Sequence, residues 1–142
     1  MKKLTLLLAG IVGLAFAIGQ VPTPKQFLGY EVGQRFTPHH KMVGYFEALA
    51  AAAPQNMKLE TYGYTNEGRP LLLAVISSKE NMARLEEIRK NNLKLAGLEP
   101  GNAPANNPAL VWLSYNVHGN EASSSEAVLL TAHYLLTNPV AA

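Results

Sequence analysis

Two apolar runs constrain the fold of this chain more than any other feature. They are "PLLLAVISS", beginning at Pro70, and "ALVWLSYN", beginning at Ala109. Both are short and continuously apolar, the pattern of a strand covered on both faces rather than one face-wetted strand. Before the first lies "MKLETYGYT", in which the even positions Lys58, Glu60, Tyr62 and Tyr64 are mostly polar, as on a half-exposed edge strand. "NEGR" separates the two runs, which predicts a hairpin with Gly68 in its turn. Between "PLLLAVISS" and "ALVWLSYN" the chain reads as a helix. Ser77 and Glu80 form a possible capping box, Leu85 and Ile88 point inward, and Glu80–Arg84 and Glu86–Lys90 are i,i+4 pairs on the outer side. That helix ends near Leu95, and the polar "GLEPGNAPANNP" follows as a loop.

Helices also flank this block. Thr37 and Pro38 read as N-cap and first helical residue, with Met42, Phe46, Leu49 and Ala53 along one face until Pro54 stops the helix. Ser123 to Asn138 reads as a last helix, with Ser123 and Glu126 as a second capping box. Its apolar stripe holds Val128, Leu129, Ala132, Leu135 and Leu136. The order helix, hairpin, helix, strand, helix argues for an α/β layered fold in one domain or part of one, and no internal repeat is visible.

The first residues are of another kind. Lys2 and Lys3 precede an apolar core from Leu4 to Phe16, and Ala15-Phe16-Ala17 is a small-x-small cleavage signature. Residues 1–17 therefore read as a secretory signal peptide, which predicts export to a periplasmic or extracellular space. A permanent membrane anchor fits less well, because the run is short and broken by Gly10 and Gly13. Residues 18–36 read as an irregular tether, and 37–142 as the folded portion. Twelve basic residues face ten acidic ones, and Lys2 and Lys3 account for the difference. The chain without its signal is close to neutral, so no nucleic-acid partner is expected. Cysteine is absent, which excludes disulfides, thiolate metal sites and a cysteine nucleophile; aspartate is absent too. A metal site here must use histidine, glutamate and water.

His118 and Glu121 in "NVHGNE" meet that requirement. As a bare pattern the pair is weak: four histidines and ten glutamates in 142 residues give about 0.3 accidental His-x-x-Glu matches per chain. Its position adds weight. It follows the strand-like run ending near Tyr115, and active sites of open α/β sheets gather beyond the carboxyl ends of strands. Gly119 permits a tight bend, and one imidazole with one carboxylate suits a borderline ion such as zinc. The alternative leaves Glu121 serving the helix N-terminus, where the macrodipole favours a carboxylate, and His118 as a loop histidine. The residues alone leave both readings open.

"EGRPLLLAVIS", a helix, and then "ALVWLSYNVHGNEASSSEAVL" resemble the zinc metallocarboxypeptidases, the carboxypeptidase A-like peptidases. The likeness runs from about Gln26 to Asn138. It implies a three-layer α/β/α fold with a mixed central sheet, and it makes His118 and Glu121 the first two zinc ligands. It further implies removal of C-terminal residues from peptides by zinc-activated water, with a glutamate base and a cation at the oxyanion. The family's third ligand, a histidine, and its base and carboxylate clamp lie far downstream of this motif, whereas only 21 residues follow Glu121 here. The resemblance therefore implies the N-terminal portion of a longer peptidase, with the 142-residue chain inactive by itself. Some relatives carry arginine where Asn120 stands. Two further functions are compatible: a related zinc amidohydrolase acting on N-acyl amino acids or cell-wall peptides, and a catalytically inactive exported binding module. His39, His40 and His133 read as surface or core histidines, Glu126 as a helix cap and Arg69 as part of the hairpin. The three serines after Ala122 lack a base partner, which argues against a serine hydrolase.

Overall fold

The structure is a computed structural model and describes residues 20–138. The expected signal peptide, residues 1–17, lies outside the described residues. Seven elements follow in order: α1 (Pro24–Leu28), α2 (His39–Ala52), β1 (Met57–Tyr64), β2 (Pro70–Ile76), α3 (Lys79–Met82), α4 (Leu85–Leu95) and α5 (Ala122–Thr137). Helices beside a small sheet give the chain mixed α and β content, as the alternating pattern predicts.

The hairpin forms as expected. β1 and β2 pair antiparallel from Met57↔Ile76 to Tyr64↔Pro70, with a bulge between Thr61 and Gly63. The turn closes through Thr65 N–H to the Arg69 carbonyl at 2.9 Å and Gly68 N–H to the Thr65 carbonyl at 2.9 Å. Gly68 has φ 74°, a left-handed conformation that costs a side-chain-bearing residue about 1–2 kcal/mol. All four even positions of β1 are exposed, in keeping with an edge strand.

Packing centres on α2 and α5. Tyr45, Phe46 and Leu49 from α2 meet Leu129 and Ala132 from α5, closed by Leu28 from α1 and Met57 from β1. These positions repeat at three and four residues, so each helix turns one apolar face inward. Met42, Val128 and Leu136, all expected on inner faces, pack against this cluster from its margin.

Several expectations need correction. Residues 18–36 are not an irregular tether throughout. Pro24–Leu28 is helical, Thr23 and Gln26 form a reciprocal capping box, and Gly29 closes the helix at φ 79°. Leu28 reaches the core. Thr37 is not a helix cap either: Pro38 is the N-cap residue of α2. Thr37 is buried, its hydroxyl bonded to the Tyr30 hydroxyl at 3.0 Å. The helix expected over 77–95 is capped by Ser78 rather than Ser77, and it breaks at Arg84, whose φ is −129°. Its surface pairs fall at i,i+3, Arg84–Glu87 and Glu86–Arg89.

The largest departure concerns "ALVWLSYN". These residues carry no strand assignment, and Leu110, Val111, Trp112 and Leu113 are 54–80% exposed. A strand exists through its ladder, and among the described residues the sheet has two strands only, β1 and β2. With β2 paired on one side alone, its seven residues are all half-buried rather than buried.

Candidate metal centre

The turn carrying His118 and Glu121 joins the exposed 110–116 run to α5. Asn116 enters it at φ 57°, the only non-glycine residue with positive φ among the described residues. Its side-chain amide donates to Ser125 Oγ at 2.7 Å. The Glu121 N–H then closes on the His118 carbonyl at 3.1 Å, and Glu121 becomes the N-cap residue of α5.

Within this turn the two candidate ligands meet. His118 Nδ1 lies 2.7 Å from Glu121 Oε1, and the His118 backbone N–H donates to Oε2 at 3.2 Å. An ionised carboxylate can only accept, so the contact places the ring proton on Nδ1. The imidazole hydrogen bond, followed by the backbone one, holds the Glu121 carboxyl below the usual carboxylate range. Glu121 makes no side-chain cap to the helix, so the carboxylate is turned to His118 instead of the α5 N-terminus.

The donor set fits a zinc ion in its chemistry. One imidazole nitrogen and one carboxylate oxygen are both zinc donors by type, and here they lie in direct contact. Holding a cation through Nδ1 would require this hydrogen bond to open and the Nδ1 proton to leave. Both side chains are open to solvent, His118 at 73% and Glu121 at 40%. Among the described residues no group of three or more His, Cys, Asp or Glu is gathered for a metal, so the pair stands alone.

The other candidates are elsewhere. His39 Nε2 donates to the Pro70 carbonyl at 3.0 Å and ties α2 to the hairpin. Arg69 pairs with Glu67 at 2.7 Å, within the hairpin turn. Glu126 does not cap α5. Its Oε1 accepts the Thr37 N–H at 2.8 Å and its Oε2 the Gly33 N–H at 3.3 Å, which clamps the chain before α2 onto α5. Ser125 is buried and bonded to Asn116, with no base beside it. Sequence reasoning missed the Asn116–Ser125 contact. The available signal was an asparagine, tolerant of left-handed backbone, at the end of an apolar run.

A cleft of about 990 Å³ lies beside the turn, between α2, β2, the 111–116 run and α5, and Gly119 is among its lining residues. It is walled largely by apolar side chains, including Phe46, Leu72, Trp112 and Leu135.

A family model for M14 peptidases matches residues 42–140. That model describes zinc carboxypeptidases, and the chain belongs to this family. The match begins inside α2, later than the Gln26 start of the likeness read from sequence, and takes in the hairpin and the His118–Glu121 turn. No curated protein and no solved structure matches the chain. Among the described residues no helix is long and apolar enough to cross a membrane.

Proposed function

We propose that His118 and Glu121 are the first two zinc ligands of an exported carboxypeptidase that removes C-terminal residues from peptides. Membership of the zinc carboxypeptidase family supports the chemistry. The observation that carries the assignment to these residues is the 2.7 Å approach of His118 Nδ1 to Glu121 Oε1 on a turn leading into a helix. The fold in this reading is a three-layer α/β/α sandwich with a mixed central sheet, in which β1, β2 and the 109–116 run are strands.

Zinc would supply a Lewis acid for the scissile carbonyl and a water of lowered pKa. This chain's own part is to hold two donors in place at one point on the turn. A third ligand is not gathered beside the pair among the described residues. Zinc titration of the chain and of His118→Ala and Glu121→Ala tests the ligand roles. Each variant is expected to weaken zinc binding at least about tenfold, as loss of a direct ligand should exceed the lower range for an outer-shell contact. Unchanged affinity in either variant would remove that side chain from the site.

A further inference from the structure

The exposure of the His118–Glu121 pair raises the question of what holds it in place. His118 is 73% exposed at its side chain, so packing does not fix the imidazole. Its position is set by the two ends of the turn, the extended run before it and α5 after it. Glu121 moves with α5 as its N-cap residue, whereas His118 hangs from the extended side. A tie between the two sides is therefore what keeps the donors together.

That tie is present. Asn116 reverses the chain at φ 57°, a conformation that asparagine adopts more readily than most residues. From there its side-chain amide donates to Ser125 Oγ at 2.7 Å, spanning the base of the turn. Ser125 is 2% exposed and belongs to the packed face of α5, so it is a fixed anchor. One residue earlier, the Tyr115 hydroxyl donates to Thr131 Oγ1 at 3.2 Å, a second strut from the same run to the same helix.

We propose that Asn116 and Ser125 are positioning residues for zinc, acting through one hydrogen bond that fixes the turn bearing His118 and Glu121. The inference rests on the zinc role given to that pair above. Neither residue touches the metal in this scheme. They restrict the turn to conformations in which the two donors converge, as partners behind metal ligands commonly do.

The test measures Zn2+ affinity and the urea midpoint of the metal-free form, using the 142-residue chain. Ser125→Ala removes the bond at the anchor. Asn116→Gly removes it at the turn while keeping left-handed backbone accessible. Each is expected to weaken zinc binding about tenfold. The double variant is expected to lose no more than either single one, because both remove the same contact. His118→Ala is the reference for loss of a ligand. Wild-type affinity in Ser125→Ala and Asn116→Gly, with loss in His118→Ala, overturns the positioning role and leaves the zinc assignment intact. Losses that multiply in the double variant also overturn it, as does a fall in zinc affinity fully matched by a fall in the urea midpoint. If His118→Ala binds zinc as the wild type does, the ligand assignment fails and the positioning role fails with it.

Discussion

Tyr45 and Glu126 show how single polar atoms hold this chain together. Tyr45 is fully buried, and its hydroxyl donates to the Pro22 carbonyl at 2.9 Å. Burial pushes the phenol well above its ordinary value of about 10. Above that pH the unfolded chain loses the phenolic proton while the folded chain keeps it, so the folded state binds more protons. Stability then falls as pH rises. Tyr45→Phe is expected to cost about 1 kcal/mol at neutral pH, from the lost hydrogen bond, and to flatten the alkaline decline. Urea midpoints at pH 7 and about pH 10.5 check both parts; equal alkaline slopes in the two proteins would rule out Tyr45 as their source. Glu126 accepts two backbone N–H groups from residues about ninety positions away. Removing it leaves Thr37 N–H without that acceptor beside a buried side chain, so Glu126→Ala is expected to destabilise by about 1.5–3 kcal/mol. Glu126→Gln, which keeps one acceptor oxygen, is expected to lose less. Chemical denaturation of the two variants tests the order. A sequence reading finds this glutamate but assigns it to a local cap, because nothing local reports a partner so distant in the chain.

At the scale of elements, legibility follows the range of the interactions that make each one. The hairpin is readable because its signals are local: mostly polar side chains at the even positions of β1, and a glycine where the turn needs positive φ. α5 is readable from its apolar stripe, and the structure buries Leu129 and Ala132 as that stripe requires. α1 was equally readable, since Thr23-Pro24-Lys25-Gln26 combines a capping box with proline at the first turn. The surrounding prolines and glycines concealed it. The break at Arg84 has no local signal, because neither alanine nor arginine is a helix breaker. The 109–116 run fails for a different reason: apolar composition specifies a strand only when neighbours supply a ladder. Where an element is set by packing on α2 and α5, its loss should be expensive. Leu129 is fully buried between them, so Leu129→Ala is expected to cost about 2–5 kcal/mol, read as a lowered urea midpoint. Leu130, one position along and 51% exposed, is the control; a similar loss in Leu130→Ala would mean that the stripe is misassigned.

For the whole molecule, one side is built and the other is open. Its core gathers on α2, α5 and the start of the hairpin, while Val111, Trp112 and Leu113 line the cleft beside β2 and, with Leu110, are exposed to solvent. The His118–Glu121 pair hangs on the same open side, since its turn continues directly from the 110–116 run. The candidate site was legible as two residues because the motif is contiguous; its support was not, because that support is made by α5 and the run together. Four adjacent exposed apolar side chains, next to a strand with one paired edge, make an adhesive surface. The chain in isolation is therefore expected to self-associate at micromolar concentration. Val111 and Trp112 are its most exposed members, at 80% and 75%, and replacing them costs little packing. Val111→Glu with Trp112→Glu is expected to shift the chain toward monomer in sedimentation velocity while leaving the urea midpoint nearly unchanged. A wild-type chain that stays monomeric across that concentration range would show that the cleft closes on itself in solution, bringing the 110–116 run against β2.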